Sequence, residues 1–230
     1  WLLQNGLTLI HQNNMGAFGG PDIVDDGLLI AIDAGSGRSY SGSGTSVSNI
    51  IDNSTYTLQN SLGKVSDKGG TWDYDGVDDY IQGPTNSFGT LTAYTIAFWC
   101  RRDAESKMYI GTSGNTFYWY GDNSWRYVTG GSGAELYYSK NVSIPVGTWG
   151  YYVATYDGSN VKVYRQGIYQ DAKAATGTVT FDSLTFTFGK FSSGSTYAFN
   201  GLGGNIYLYN RALTAAEVLQ NYNAQKNRFI

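Results

Sequence analysis

The stretch WGYYVATYDGSNVKVYRQG, residues 149–167, decides the fold class of this chain of 230 residues. Residues 149–156 and 160–165 are rich in aromatic and β-branched side chains, which favour pleated strands. Asp157-Gly158 between them is a turn signal, and a second turn signal, Gln166-Gly167, follows. The stretch therefore predicts two neighbouring antiparallel strands joined by a tight turn.

The same pattern of short strands and glycine-containing turns continues on both sides of this hairpin. In YTIAFWCR, residues 94–101, Tyr94, Ile96, Phe98 and Cys100 share one face of a predicted strand, because successive side chains point to opposite faces. Further strands are predicted at residues 28–33, 107–112, 116–120, 124–128, 134–138, 184–189 and 205–210. Many short strands without helices between them predict an all-β fold, an antiparallel sandwich of two sheets.

Composition and charge exclude several classes of protein. The net charge is -3 and there is no basic stripe, so we expect no nucleic-acid partner. No apolar run approaches the roughly 20 residues that span a bilayer, and so we expect no membrane partner. Cys100 is the only cysteine, which excludes an internal disulfide and a thiolate metal site, and we expect it to be a buried, inert thiol. His11 is the only histidine, and we expect no catalytic triad built on it.

One helix is predicted, at the C-terminus. Thr214 and Glu217 have the spacing of a capping box, and Leu213 with Val218 has that of a hydrophobic staple. The apolar stripe expected to lie on a sheet edge consists of Val218, Leu219 and Tyr222. The polar stretch from residue 223 to residue 230 is expected to trail away from the helix.

The first 26 residues differ from the rest of the chain. They show neither a period of two nor one of 3.6, and they contain Asn-Asn, Gly-Gly and a proline. We therefore divide the chain into an extended N-terminal arm, residues 1–26, and a sandwich domain, residues 27–230. The arm is expected to dock on a neighbouring subunit and to add nothing to the core of its own sandwich.

Four stretches, in this order along the chain, resemble the concanavalin A-like, laminin G-like jelly-roll family. They are YDGVDDYI (74–81), YTIAFWCRRD (94–103), VGTWGYYVATYDGSNVKVYRQG (146–167) and FNGLGGNIYLYNRALTAAEV (199–218). The resemblance implies that the sandwich is a jelly roll with one short C-terminal helix.

The two ends of the chain have a narrower resemblance, to laminin G-like proteins of tailed phages. The stretches that carry it are residues 19–46 and residues 211–229. In such proteins the domain is commonly a virion or tail-fibre component. The resemblance implies a non-enzymatic virion protein on the particle surface, a capsid decoration or fibre module that is anchored by its arm. Capsid or tail proteins would be its partners, it would form a homo-oligomer, and a carbohydrate-binding adhesin domain is the alternative.

An acidic cluster in YDGVDDYIQG, residues 74–83, permits three interpretations. Asp75, Asp78 and Asp79 could be calcium ligands, catalytic carboxylates or the polar groups of a turn between two strands. Relatives that bind calcium often add acids from the closing strand, where Gly204 and Asn205 stand here. We therefore favour the turn, and predict no metal and no cofactor.

A catalytic role is not expected. Jelly-roll glucanases carry a strand of the form E-x-D-x-x-E, whose alternate carboxylates line a cleft, and this chain has no such triplet. The prediction is therefore that the protein is not an enzyme and has no catalytic residues.

Aromatic residues are concentrated in three successive predicted strands between residues 116 and 138. Their rings could present flat apolar faces with polar tips to a sugar, or could pack in the core and between subunits. For the first interpretation, the predicted ligand-binding residues are Tyr118, Tyr120, Trp125 and Tyr127.

Overall fold

The fold comes from a computed structural model of the chain, and it is a sandwich of antiparallel sheets. The structure describes residues 22–85, 88–104, 109–112, 115–120, 124–129, 135–139, 145–180, 185–190 and 198–230. Their eighteen strands, β1 to β18 in chain order, are Leu28–Ile32, Ser46–Ser48, Thr55–Gln59, Gly63–Val65, Thr71–Asp75, Tyr80–Thr85, Thr90–Leu91, Tyr94–Arg102, Tyr109–Thr112, Asn115–Tyr120, Ser124–Thr129, Glu135–Ser139, Trp149–Tyr156, Asn160–Arg165, Ile168–Ala174, Val179–Thr180, Thr185–Phe188 and Asn200–Tyr209. Helix α1 is Ala215–Phe229.

Two eight-stranded sheets form the sandwich. The first has the order β15-β14-β13-β8-β18-β5-β4, and β1 pairs with β18 as well. The second has the order β12-β11-β10-β9-β17-β6-β3-β2, and β16 and β7 form a small separate sheet. The prediction of an all-β, two-sheet jelly-roll sandwich with one C-terminal helix is confirmed.

The core lies between the two sheets, as the alternation in β8 predicts. Ile96, Phe98 and Cys100 point into this core, where they meet side chains of the second sheet such as Ile81 and Phe188. Cys100 is fully buried, so the expectation of a buried thiol is confirmed, and burial raises the pKa of this thiol well above its ordinary value.

A second apolar layer covers the outer face of the first sheet. Ala97 and Trp99 of β8 point to this face, together with Tyr151 and Val153 of β13. Helix α1 packs over them with buried side chains, so it lies on the sheet's outer face. The expectation that the helix lies on a sheet edge is therefore wrong.

The capping box of α1 is confirmed. Thr214 Oγ1 accepts a hydrogen bond from the backbone N–H of Glu217 at 3.3 Å, and the Glu217 carboxylate accepts one from the backbone N–H of Thr214 at 2.7 Å. Leu213 and Val218, the predicted staple, are both buried. Among the described residues no helix is long and apolar enough to cross a membrane.

The end of α1 and its buried face differ from the prediction. Residues 223–229 continue the helix, and Phe229 stacks on Trp99 with 4.6 Å between the ring centroids. Leu219 is exposed, and the buried positions beside Val218 include two amides. The helix buries Val218, Asn221, Gln225 and Phe229. The predicted stripe is thus confirmed at Val218 and at Tyr222, which stacks on Trp99, but it is wrong at Leu219, and polar residues occupy half of the buried face.

Residues 22–26, the last part of the predicted arm, pack on the chain's own sandwich. Val24 is buried; its N–H donates to Asn221 Oδ1 at 2.8 Å, and its carbonyl accepts from the Tyr209 hydroxyl at 3.0 Å. The expectation that the arm adds nothing to its own core is thus wrong for this part. Residues 1–21 lie outside the described residues, and the division of the chain into arm and sandwich stays a prediction.

Candidate functional site

The acidic cluster lies in the connection between β5 and β6. Asp75 ends β5, and Gly76 follows in the left-handed region with φ at 81°, a conformation that favours glycine. Asp75 Oδ1 accepts hydrogen bonds from the backbone N–H groups of Val77 at 2.7 Å and Asp78 at 3.2 Å. This carboxylate therefore closes a tight turn on its own backbone, as aspartate commonly does.

Asp79 has a different, buried role. Only 2% of its surface is exposed, its Oδ1 accepts from the Ser61 N–H at 3.0 Å, and its Oδ2 accepts from the Asp75 N–H at 3.1 Å. Burial raises the pKa of this carboxyl, while the two N–H groups oppose the rise. Asp79 therefore ties the turn to the loop before β4.

The distances alone would permit a pair of catalytic carboxylates. One oxygen from each of Asp75, Asp78 and Asp79 lies within 4.8 Å of the others, close to the separation of about 5 Å in retaining glycosidases. The acid with the raised pKa, Asp79, would be the proton donor of such a pair. However, both of its oxygens are occupied by backbone N–H groups and it is buried, so a substrate cannot reach it.

The residue of the closing strand, β18, that lies beside this turn is Asn200, and not Gly204 or Asn205 as expected from the sequence. Asn200 pairs with Asp75, and its side-chain amide donates to the Asp75 carbonyl at 3.0 Å. Asn205 lies five residues farther along β18, about 16 Å away in an extended strand. Its side-chain amide donates to the Tyr207 hydroxyl and to Oε1 of the Gln225 side chain, so it holds α1 and not the acidic turn.

Four residues were predicted to bind a ligand, and all four lie on the paired strands β10 and β11. Tyr118 pairs with Arg126, and Tyr120 pairs with Ser124. Trp125 pairs with Trp119, and Tyr127 pairs with Phe117. Cross-strand partners share a face, so positions 118 and 120 belong to one face and positions 125 and 127 to the other. Their side chains lie outside the described residues, and their role in binding stays a prediction.

A different aromatic residue, Tyr169, was missed by the sequence analysis. It is the only exposed aromatic side chain among those that the structure describes, with 52% of its surface accessible. It lies in β15, which ends the first sheet. The turn signal at Gln166-Gly167 marks the start of this strand, but the sequence gives no sign that the strand is outermost.

Comparison with known proteins places most of the chain in one family. A sequence model described as the concanavalin A-like lectin/glucanases superfamily, Laminin_G_3, matches residues 75–219, more than half of the chain. No curated protein matches the chain significantly in sequence.

Several solved structures share the fold at low sequence identity. Domain 4 of AbnA, an extracellular arabinanase of Geobacillus stearothermophilus solved with arabinotriose, is 18% identical with a TM-score of 0.63; the match covers 85% of this chain and 98% of that one. The binding domain of Paraclostridial Mosquitocidal Protein 1 is 15% identical with a TM-score of 0.68, over 87% and 53% of the two chains. Trypanosoma rangeli sialidase solved with the inhibitor DANA is 14% identical with a TM-score of 0.63, over 90% and 34%. This chain thus spans about half of the second structure and a third of the third.

Proposed function

The chain belongs to the concanavalin A-like lectin/glucanase superfamily, and on that premise we propose that it is a non-enzymatic binding module that recognises carbohydrate. The observation that carries the proposal is the use of the acidic cluster. Among the described residues it is the only group of three acids, cysteines or histidines close enough to hold a metal. Both oxygens of Asp79 and one oxygen of Asp75 accept backbone N–H groups. Because the acid of this cluster with the raised pKa is buried and bonded to the backbone, the described residues favour binding over hydrolysis.

The structural neighbours support the same proposal. The arabinanase domain was solved with an oligosaccharide, and the mosquitocidal-protein structure is itself a binding domain. Recognition of a sugar by this chain would use exposed aromatic faces and nearby polar groups.

A binding and hydrolysis assay tests the proposal. The purified chain is applied to an array of neutral and acidic oligosaccharides that includes arabinotriose, and the heat-unfolded chain serves as the control. We expect specific binding by the folded chain only, and no release of reducing ends from the bound oligosaccharides. Failure to bind any glycan would refute carbohydrate recognition, and release at an enzymatic rate would refute the non-enzymatic role.

A second candidate function is that of a virion component, bound to capsid or tail proteins as a homo-oligomer. Its support is the resemblance of the two ends of the chain to tailed-phage proteins, and in the structure these two ends pack on each other. Gln220 donates to the Asp22 carbonyl at 2.8 Å, and Arg211 forms an ion pair with Asp26 at 2.8 Å. Sedimentation of the chain with purified particles tests this role, and a chain found only in the particle-free fraction would contradict it.

A further inference from the structure

The exposed ring of Tyr169 is held in a fixed position by a buried neighbour. Tyr164 pairs with Tyr169 across the β14–β15 hairpin, and their rings meet edge to face, with 5.8 Å between centroids and 76° between planes. Tyr164 itself is buried. An edge-to-face contact of this kind orients the outer ring, so Tyr169 presents a face to solvent without first having to be ordered.

Polar groups gather around the hydroxyl of Tyr164. Burial raises the pKa of this hydroxyl, and the Tyr169 hydroxyl and the Asp157 carboxylate raise it further. The Lys162 ammonium and a hydrogen bond with the Thr155 side chain lower it. Thr155 pairs with Lys162 across β13 and β14, so both lie on the same sheet face as Tyr164. Hydroxyl groups and one ion pair therefore stand close to the exposed ring.

An exposed apolar side chain of α1 lies next to the same hairpin. The turn glycine Gly167 packs so tightly on the helix that an added Cβ would lie 3.0 Å from Leu219 Cδ1 and 3.1 Å from Tyr222 Cβ. Leu219 is 44% exposed. The helix therefore adds apolar surface close to the strand that carries Tyr169.

We propose that Tyr169, which shares a sheet face with Tyr164 and Lys162, is a subsite that stacks against one neutral sugar ring of a glycan. This inference rests on the proposed carbohydrate recognition and assigns a place to it. A flat, exposed ring that carries its own hydroxyl suits the apolar face and polar rim of a sugar.

The neutrality of the sugar follows from the charges. The Lys162 ammonium is paired with the Asp157 carboxylate at 3.3 Å, so the cation next to the ring is already neutralised. A carboxylated sugar would have to compete with Asp157 for it. Binding to this subsite should therefore change little between 50 mM and 500 mM salt, because screening acts on unpaired charges.

Titration calorimetry with arabinotriose, cellotriose, mannotriose, chitotriose and sialyllactose tests the subsite. For each neutral sugar that the wild type binds, we expect Tyr169→Ala to weaken the affinity about three- to tenfold and Tyr169→Phe to keep most of it, since stacking needs the ring. Ile168→Ala is the matched control: Ile168 is 64% exposed and adjacent in sequence, but it pairs with Arg165 and not with Tyr164. It should bind as the wild type does.

The possible outcomes separate the subsite from the wider function. If the wild type binds a neutral sugar and Tyr169→Ala binds it equally well, the subsite is wrong while carbohydrate recognition stands. If the wild type binds no sugar, both are wrong. A preference for sialyllactose that disappears in high salt would overturn the neutral class. If Tyr169→Ala changes only the sedimentation coefficient, the surface joins copies of the chain and the subsite is wrong. Thermal melts of Ile168→Ala and Tyr169→Phe should agree with the wild type, and Tyr169→Ala should melt only a few °C lower, because it loses the ring contact with Tyr164 but is half exposed.

Discussion

Replacing Asp79 by asparagine distinguishes a structural turn from a calcium site. Each Asp79 oxygen accepts one backbone N–H, at 3.0 Å and 3.1 Å. Asparagine has one carbonyl oxygen, so its amide would face the second N–H and leave a buried donor without an acceptor. Such a loss costs about 1–3 kcal/mol, and the removal of a buried charge offsets part of it. We therefore expect Asp79→Asn to lower the free energy of unfolding by about 1–2 kcal/mol, or the melting temperature by roughly 2–8 °C.

Asp78→Asn is the matched control for this experiment. Asp78 belongs to the same cluster, but among the described residues no hydrogen bond to its carboxylate is present. It should change the free energy of unfolding by less than about 0.5 kcal/mol. Melts of both variants and the wild type are recorded with excess calcium and with EDTA, and we expect no difference between the two conditions. If both variants lose stability equally, and only when calcium is present, the cluster is a metal site and the turn interpretation is wrong.

Three further predictions concern the helix, the ion pair at its start and the N-terminus. Phe229→Ala should lower the free energy of unfolding by about 3–5 kcal/mol in urea titrations, because the ring is buried, whereas the exposed Ile230→Ala should not; equal, small effects would mean that the end of α1 does not stabilise the sandwich. The Arg211 guanidinium lowers the pKa of Glu217 from 4.5 to about 2. The ionised Glu217 therefore stabilises the folded state fully above pH 4.5, and this contribution is lost as the pH falls towards 2. Glu217→Gln should cost about 1–2 kcal/mol at pH 6 and almost nothing at pH 2, and a pH-independent cost would contradict this. Deleting residues 1–20 should leave the melting temperature nearly unchanged, whereas deleting residues 1–26 should lower it, because the buried Val24 is then lost. If the shorter deletion already lowers the melting temperature as much as the longer one, the stabilising contacts lie before residue 21.

The strands could be predicted because each has its own local signal. The hairpin of β13 and β14 forms where its aromatic strands and Asp157-Gly158 turn were expected. The start of α1 was equally predictable, because a capping box is a local contact between Thr214 and Glu217. Each of these features depends on residues that are neighbours in sequence.

The polar part of the buried face of α1 could not be predicted, because it depends on contacts with residues that are distant in sequence. Gln225 and Asn221 are buried because they bond groups that are distant in sequence, such as Asn205 and Tyr209. A search for apolar periodicity passes over such amides and chose Leu219, which is exposed. Residues 22–26 were misjudged for a similar reason. Hydrogen bonds of their backbone hold them, and the pattern of side chains in a sequence does not reveal such bonds.

The abundance of tyrosine shows why composition could not locate the candidate binding site. The chain has 20 tyrosines, which could equally build a core or a sugar-binding surface. In the structure, Tyr56 and Tyr74 lie in the core, their hydroxyls have no hydrogen-bond partner within the described part of the chain, and burial raises the pKa of both. A buried, unpaired hydroxyl costs about 1–3 kcal/mol, so the fold uses these rings for packing in spite of their polar tips. Exposure in the structure, and not composition, therefore identifies a candidate for carbohydrate binding. Tyr169 is that candidate because its ring contacts the buried Tyr164 but is itself exposed to solvent.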